Sequence, residues 1–310
     1  MDLHNTIYRA GGGLPVVLIH AFPVDHRMWD RCAAELIDLC DRSGLDPFPV
    51  YAPDMPGAGG SPVPTAAQSG PLAADGAYTQ ALDLMADALV DLLRSTGASR
   101  AIWVGLSMGG YAVEAIWRRH PETVAGLALC DTAMKADAPE SRSRRLAIAD
   151  ECLREGHVDP VMGFADVQEG DSTVKRSPWF IRELGGWIRS QDPGGVAWRE
   201  RMAAGRPDQT HLAGTIDVPV AMVSGRCDPS ANPDRMAPLM QAMDSCLVRF
   251  TAIPDCGHFS AVEHPSTVAR ALMDLVLTVK ERDREMPGDP ARVGGSMGPD
   301  RQADDRGAGR

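Results

Sequence analysis

A short apolar run, Ala101-Ile102-Trp103-Val104, enters the pentapeptide Gly105-Leu106-Ser107-Met108-Gly109, and the chain leaves through Gly110 into the apolar-rich stretch Tyr111 to Trp117. This succession reads as strand, sharp turn and helix. A serine at such a turn is forced into a strained backbone conformation that lifts its hydroxyl clear of the sheet, while glycines two residues to either side let neighbouring backbone approach without a Cβ clash. The pentapeptide alone is common, and Ser107 could be an ordinary turn residue. The flanking strand and helix make it a candidate nucleophile elbow.

A serine hydroxyl is a poor nucleophile unless a base, a group that orients the base, and donors for the developing oxyanion accompany it. Downstream, Val218 to Val223 is a buried-type strand running into Ser224-Gly225-Arg226-Cys227-Asp228. Leu247 to Ile253 is another, running into Pro254-Asp255-Cys256-Gly257-His258. Asp228 and His258 are therefore the candidate acid and base. Asp131, at the end of the run Leu127 to Cys130, is an alternative place for the acid. For the base, His20 ends the first strand, and His264 precedes Pro265 at a helix entry, a usual place for a solvated imidazole. His258 has its own alternative use as a cap for the final helix, and Asp255 reads as a turn residue. The interval between Ser107 and Asp228 leaves room for a further strand and an inserted segment. The order Ser, Asp, His along the chain is that of α/β-hydrolases.

Five landmarks in order carry the resemblance further. They are Leu18-Ile19-His20-Ala21-Phe22-Pro23, Pro53-Asp54-Met55-Pro56-Gly57, the elbow at Ser107, Gly225-Arg226-Cys227-Asp228, and Cys256-Gly257-His258. Over roughly residues 14 to 280 the chain resembles the α/β-hydrolase superfamily, in particular the small bacterial esterases and lactonases of the 3-oxoadipate enol-lactonase type. The resemblance implies an α/β fold, a mainly parallel sheet with helices on both faces and a helical cap inserted after the sixth strand. It implies a Ser107, His258, Asp228 triad, with an oxyanion held by the backbone N–H groups of Met108 and Phe22. His20 would then shape the oxyanion loop. The family's usual glycine after that histidine is Ala21 here, and its methyl group is expected to narrow the loop.

Composition limits the partners. A net charge of −11 and a pI near 5.2 disfavour nucleic acid and anionic membrane, which would repel the protein at neutral pH, so a small molecule is the expected partner. No apolar run approaches the roughly 18 residues of a membrane span, and Met1-Asp2-Leu3-His4-Asn5-Thr6 lacks the basic and apolar regions of a secretory signal. The expected location is the cytoplasm. Seven cysteines without a Cys-x-x-Cys pair suit a reducing compartment. Cys130, Cys227 and Cys256 fall near strand ends but lack zinc-site spacing, so neither metal nor cofactor is expected. Gly11-Gly12-Gly13 lacks the strand and helix of a nucleotide-binding loop and reads as a turn.

At 310 residues, 44% hydrophobic, the chain suits one domain with an insertion. Strands are expected at Val16 to Ala21, Val50 to Ala52, Ala101 to Val104, Gly126 to Cys130, Pro219 to Ser224 and Leu247 to Ile253, with helices between them. Asp75 to Thr96 carries Leu82, Met85, Leu89 and Leu92 as one stripe and stops at Gly97. The last helix, about Pro265 to Lys280, carries Val268, Ala271, Leu272, Leu275 and Val279 and should pack near the histidine loop. The Pro, Ala, Gly and Ser run between Gly57 and Asp75 reads as a loop bordering the pocket. The expected organisation is a core of residues 1–132 and 213–280, a helical cap of 133–212, and a disordered tail of 281–310, whose mixed charges and scarce apolar residues cannot offset chain entropy.

The cap holds Met162, Phe164, Trp179, Phe180, Trp187 and Trp198, which either line an acyl pocket or fix the cap to the core. Trp179, Trp187 and Phe22 are the substrate-binding candidates. Serine at the nucleophile position disfavours the epoxide hydrolases and haloalkane dehalogenases, which resemble this fold but use aspartate there. An ester or lactone substrate is expected. An acyltransferase or peracid-forming variant, and a ligand-binding homologue without turnover, are the alternatives. Oligomeric state is not legible.

Overall fold

In the computed structural model of the protein, which describes residues 1–285, a seven-stranded sheet runs in the order β1-β3-β2-β4-β5-β6-β7. The strands are β1 (Asn5–Arg9), β2 (Val16–Ile19), β3 (Val50–Pro53), β4 (Ala101–Leu106), β5 (Val124–Cys130), β6 (Val220–Gly225) and β7 (Val248–Ile253). β1 pairs antiparallel with β3, and all the other pairings are parallel. Every residue of β2, β4, β5 and β6 is buried, which is why these strands read as continuous apolar runs: helices cover both faces, so alternation has no purpose.

The helices are α1 (Asp30–Arg42), α2 (Ala66–Ser69), α3 (Ala81–Ser95), α4 (Met108–Arg119), α5 (Pro139–Glu155), α6 (Pro178–Arg189), α7 (Pro193–Gly205), α8 (Pro233–Ala242), α9 (Ser260–Glu263) and α10 (Pro265–Glu285). The six expected strands are all present, with ends shifted by a residue or two. β1 was not expected, because Asn5-Thr6-Ile7-Tyr8-Arg9 has little apolar character; it is an edge strand, with Ile7 more than half exposed.

Three boundaries differ from the sequence reading. α3 begins at Ala81 rather than Asp75, because Gly76 takes a left-handed φ of 91° and an isolated bridge pairs Leu72 with Tyr78. Its inward stripe is Leu82, Met85, Leu89 and Leu93, leaving Leu92 half-buried. α10 runs on to Glu285, so Glu281–Glu285 are helical, and the rest of the expected disordered tail lies outside the described residues. The inserted helices follow the fifth strand of this sheet, not a sixth; a sixth presupposes two strands before Val16, and only β1 forms there.

Between β5 and β6 the chain is entirely helical or looped. Two of these helices start with a side-chain cap followed by proline: Ser177 Oγ accepts from Phe180 N–H, and Asp192 accepts from Gly194 and Gly195 N–H. Proline at the first helical position forfeits only an N–H that has no intrahelical partner. α5 stops at Gly156, in left-handed conformation. α7 is buried along most of its length, including Trp198, Arg199 and Glu200.

α7 approaches the core closely. A Cβ on Gly195 would stand 1.8 Å from the Gly57 carbonyl oxygen, so both backbones must lack side chains there. Gly195→Ala is expected to lower unfolding stability by about 1–3 kcal/mol. Gly186→Ala, where a Cβ meets nothing within 4 Å, is expected to be neutral or stabilising. Urea denaturation of both variants beside the parent checks the pair, and equal stabilities would remove the claimed close approach.

Candidate active site

Ser107 ends the turn between β4 and α4 with φ 55° and ψ −114°, a conformation that costs a non-glycine residue roughly 1–3 kcal/mol. Three hydrogen bonds hold it there. Its N–H donates to Cys130 O at 2.9 Å, and its carbonyl accepts from Thr132 Oγ1 at 2.8 Å and from Gly110 N–H at 2.9 Å. Gly105 and Gly109 permit the turn sterically: a Cβ on Gly105 would lie 2.3 Å from Gly109 O, and one on Gly109 would lie 2.2 Å from Ile19 O.

His258 follows β7, and Asp228 follows β6. His258 Nε2 lies 2.8 Å from Ser107 Oγ, and Nδ1 lies 2.8 Å from Asp228 Oδ2. In the neutral imidazole Nδ1–H donates to the carboxylate, leaving Nε2 to accept the Ser107 hydroxyl proton. The other Asp228 oxygen accepts from Ser230 N–H at 2.7 Å. Burial pulls the His258 imidazole down, but the Asp228 carboxylate and its hydrogen bond, with Asp131 and Glu263 adding, more than reverse this and raise it to about 9. Burial pushes Asp228 up, and the facing imidazole holds it below the ordinary carboxylate range.

Asp131 does not hydrogen-bond His258. It sits at φ 45° after β5, and its oxygens accept from Gly225 N–H at 2.9 Å and Ser260 N–H at 3.4 Å, so it ties the Asp228 and His258 loops together. Burial and the neighbouring Asp228 charge push its carboxyl up. His20 is fully buried and held near 4 chiefly by burial. Its Nδ1–H donates to Ala21 O and its Nε2 accepts from Met55 N–H, tying the end of β2 to the end of β3. His264 donates from Nε2 to Asp255 O at 3.0 Å. Neither is brought to Ser107.

The loop carrying Phe22 abuts the first turn of α4, because the Gly109 Cβ position is 2.8 Å from His20 O as well as 2.2 Å from Ile19 O. Met108 opens α4, and the first N–H groups of a helix have no intrahelical acceptor. The Phe22 ring packs edge-on against Phe164 at 5.8 Å, with the Arg199 guanidinium 5.5 Å from its centroid. Of the aromatic residues between β5 and β6, Phe164 is thus the one that meets the Phe22 ring. Trp179 packs instead against Phe180 and under the half-exposed Arg31 guanidinium, at the seam of α1 and α6. Trp187 is half-buried on α6, its carbonyl accepting from Ser190 and Gln191.

The sheet order explains the meeting point. β3 lies on one side of β2 and β4 on the other, so the chain changes direction between β2 and β4, and both the Phe22 loop and Ser107 leave the carboxyl ends of those strands. Ligands of open α/β sheets bind at such switch points.

The sequence model of the Alpha/beta hydrolase family matches residues 16–271. The chain belongs to the alpha/beta hydrolase family. A thermophilic esterase from Thermogutta terrifontis is 30% identical, with a TM-score of 0.74 over 89% of this chain and 94% of that one. An enol-lactonase from Burkholderia xenovorans LB400 is 26% identical, with a TM-score of 0.71 over 89% and 96%. Lipase LipV of Mycobacterium tuberculosis is 27% identical over 281 residues, 88% of this chain and 97% of its own. These likenesses support hydrolase chemistry on a small molecule. No helix among the described residues is long and apolar enough to cross a membrane.

This hydrolase-family chain has one further cluster that sequence reasoning did not single out. His4 Nδ1 and His26 Nδ1 both reach the buried Asp54 carboxylate, at 2.9 and 2.8 Å, with donor atoms close enough together to hold a metal ion. Gly60 and His26 N–H donate to the same carboxylate, so its four acceptor positions are occupied within the protein. Cys130, Cys227 and Cys256 are free thiols, each raised above its ordinary value mainly by burial.

Two histidines are expected to titrate at opposite extremes. In long-range proton-nitrogen NMR spectra His258 should titrate near 9 and His20 stay neutral down to about 4. Asp228→Asn should lower the His258 midpoint, because it removes the strongest of the charges that oppose burial and leaves only Asp131 and Glu263 to do so. An unshifted midpoint would show that Asp228 is not the controlling charge.

Proposed function

We propose that the protein is a serine hydrolase that cleaves a small carboxylic ester or lactone, with Ser107 as nucleophile, His258 as general base and acid, and Asp228 as the group orienting it. The observation that carries the reading is His258 itself, within 2.8 Å of both Ser107 Oγ and Asp228 Oδ2 through opposite ring nitrogens. A base must be within hydrogen-bond reach of the proton it takes and held by a third group, and both conditions are met.

In the proposed reaction Ser107 Oγ attacks the substrate carbonyl carbon while its proton passes to His258 Nε2. The imidazolium is stabilised by Asp228. The tetrahedral oxyanion is held by the N–H groups of Phe22 and Met108, and its collapse expels the alcohol, which takes the proton from Nε2. The acyl-enzyme is then hydrolysed as water gives a proton to Nε2 and its oxygen attacks the same carbon, and Ser107 recovers its proton on release of the acid. In a lactone the leaving alkoxide stays joined to the acyl group. We read residues 133–212 as a cap over a core of residues 1–132 and 213–280, with Phe22 and Phe164 bordering the acyl side.

Because the imidazole must be neutral to accept the proton, kcat/KM is expected to rise with pH and level off above about 9. Ser107→Ala should cost about 10⁴-fold or more in turnover, with the fold unchanged. A panel of p-nitrophenyl esters from acetate to octanoate with simple lactones, run on both proteins, checks this. Near-parental turnover by Ser107→Ala would sink the assignment. Absence of both turnover and fluorophosphonate labelling of Ser107 in folded protein would favour a ligand-binding homologue.

A further inference from the structure

The loop that carries His258 is gripped from below by a carboxylate outside the proposed triad. Glu263, at the end of α9 and 6% exposed, accepts from Gly257 N–H through Oε2 at 2.7 Å and from Phe259 N–H through Oε1 at 3.2 Å. These are the residues on either side of His258. The loop runs directly over the carboxylate: a Cβ on Gly257 would stand 2.9 Å from Oε1. The third donor is Ser172 Oγ, fully buried, from the helical segment between β5 and β6. The same hydroxyl accepts from Lys175 N–H at 3.0 Å, so it is fixed within its own segment.

Next to it a second tether joins the same two pieces of chain. Asp255, at φ 50°, accepts from Thr173 N–H at 2.8 Å and from Thr173 Oγ1. Two consecutive residues of the inserted segment therefore grip the histidine loop. Glu263 makes no ion pair among the described residues with any cation; its three partners are neutral donors. Only a carboxylate offers acceptors on both oxygens, whereas an amide would aim N–H at N–H on one side.

We propose that Glu263 is a positioning residue that couples the inserted helical segment to His258, so that the docking of Ser172 sets where Nε2 stands relative to Ser107. The inference rests on the triad reading. It gives a physical reason for the inserted segment to affect catalysis beyond shaping a pocket, since displacement of Ser172 is felt by the two amides that flank the base.

The test uses the rate at which a fluorophosphonate labels Ser107, resolved into kinact and KI, together with p-nitrophenyl butyrate kinetics and the downfield NMR signal of the His258 Nδ1 proton. A misplaced reacting group costs on the order of 100-fold, so Glu263→Gln should lower kinact by about that factor with KI within twofold, and shift the Nδ1 proton signal. Ser172→Ala removes a single hydrogen bond to a charged acceptor and should lower kinact about tenfold, likewise with KI unchanged. Glu263→Asp, which keeps two acceptor oxygens, should recover part of the loss. If Glu263→Gln does not fold, Ser172→Ala decides by itself. Parental kinact and an unmoved proton signal in Ser172→Ala, or in folded Glu263→Gln, would overturn the coupling. Labelling that persists in His258→Ala would instead overturn the triad reading.

Discussion

The contact on which the site depends is the near-collision of α4 with the end of β2. Gly109 stands where any side chain would strike the carbonyls of Ile19 and His20, and Gly105 stands where any side chain would strike the first turn of α4. That approach sets the end of β2 against the first turn of α4, and Ser107, two residues from each glycine, takes a strained conformation at φ 55°. Strain of this kind persists only where surrounding structure over-determines it. Here the Cys130 carbonyl and the Thr132 hydroxyl, both from the neighbouring strand and its exit loop, hold the serine peptide from both sides.

The electrostatics follow from burial. Asp228, Asp131 and Glu263 are all within the buried set around the histidine loop, and only one of them bonds to the imidazole. Asp131 bonds amides of Gly225 and Ser260, and Glu263 bonds those of Gly257 and Phe259. A carboxylate that accepts backbone N–H groups fixes a loop, and as a charge it also favours the protonated imidazole. The raised value of His258 records both influences, with Asp228 the strongest of the three carboxylates. Burial of a cation works by donation instead: the fully buried Arg199 donates to Val24 O and Gln191 Oε1 and so ties α7 to the Phe22 loop.

Much of this was legible in the sequence because it is local. The buried strands announce themselves as apolar runs, the turn at Ser107 as two glycines around a serine, and Asp228 and His258 as polar residues just past strand ends. The family landmarks then order them. Other features were not legible, for definite reasons. β1 lacks an apolar signal because an edge strand needs none, and α3 starts late because a bridge between Leu72 and Tyr78 occupies residues that are otherwise acceptable in a helix. Trp179 and Trp187 read as pocket residues by type alone, and type does not reveal that Trp179 lies under Arg31.

What the sequence determined by itself is therefore the set of short-range structures and the chemical groups at their ends: strand, turn and helix around Ser107, and carboxylate and imidazole after two later strands. Those depend on steric and hydrophobic preferences over a few residues. The tertiary structure alone decided between partners far apart in the chain. It assigned the imidazole bond to Asp228 rather than Asp131, set Phe164 against Phe22, and joined Ser172 to Glu263 across 91 residues. Such choices turn on which strand ends are neighbours in the sheet and how the inserted helices lie over them, and no spacing along the chain encodes those distances.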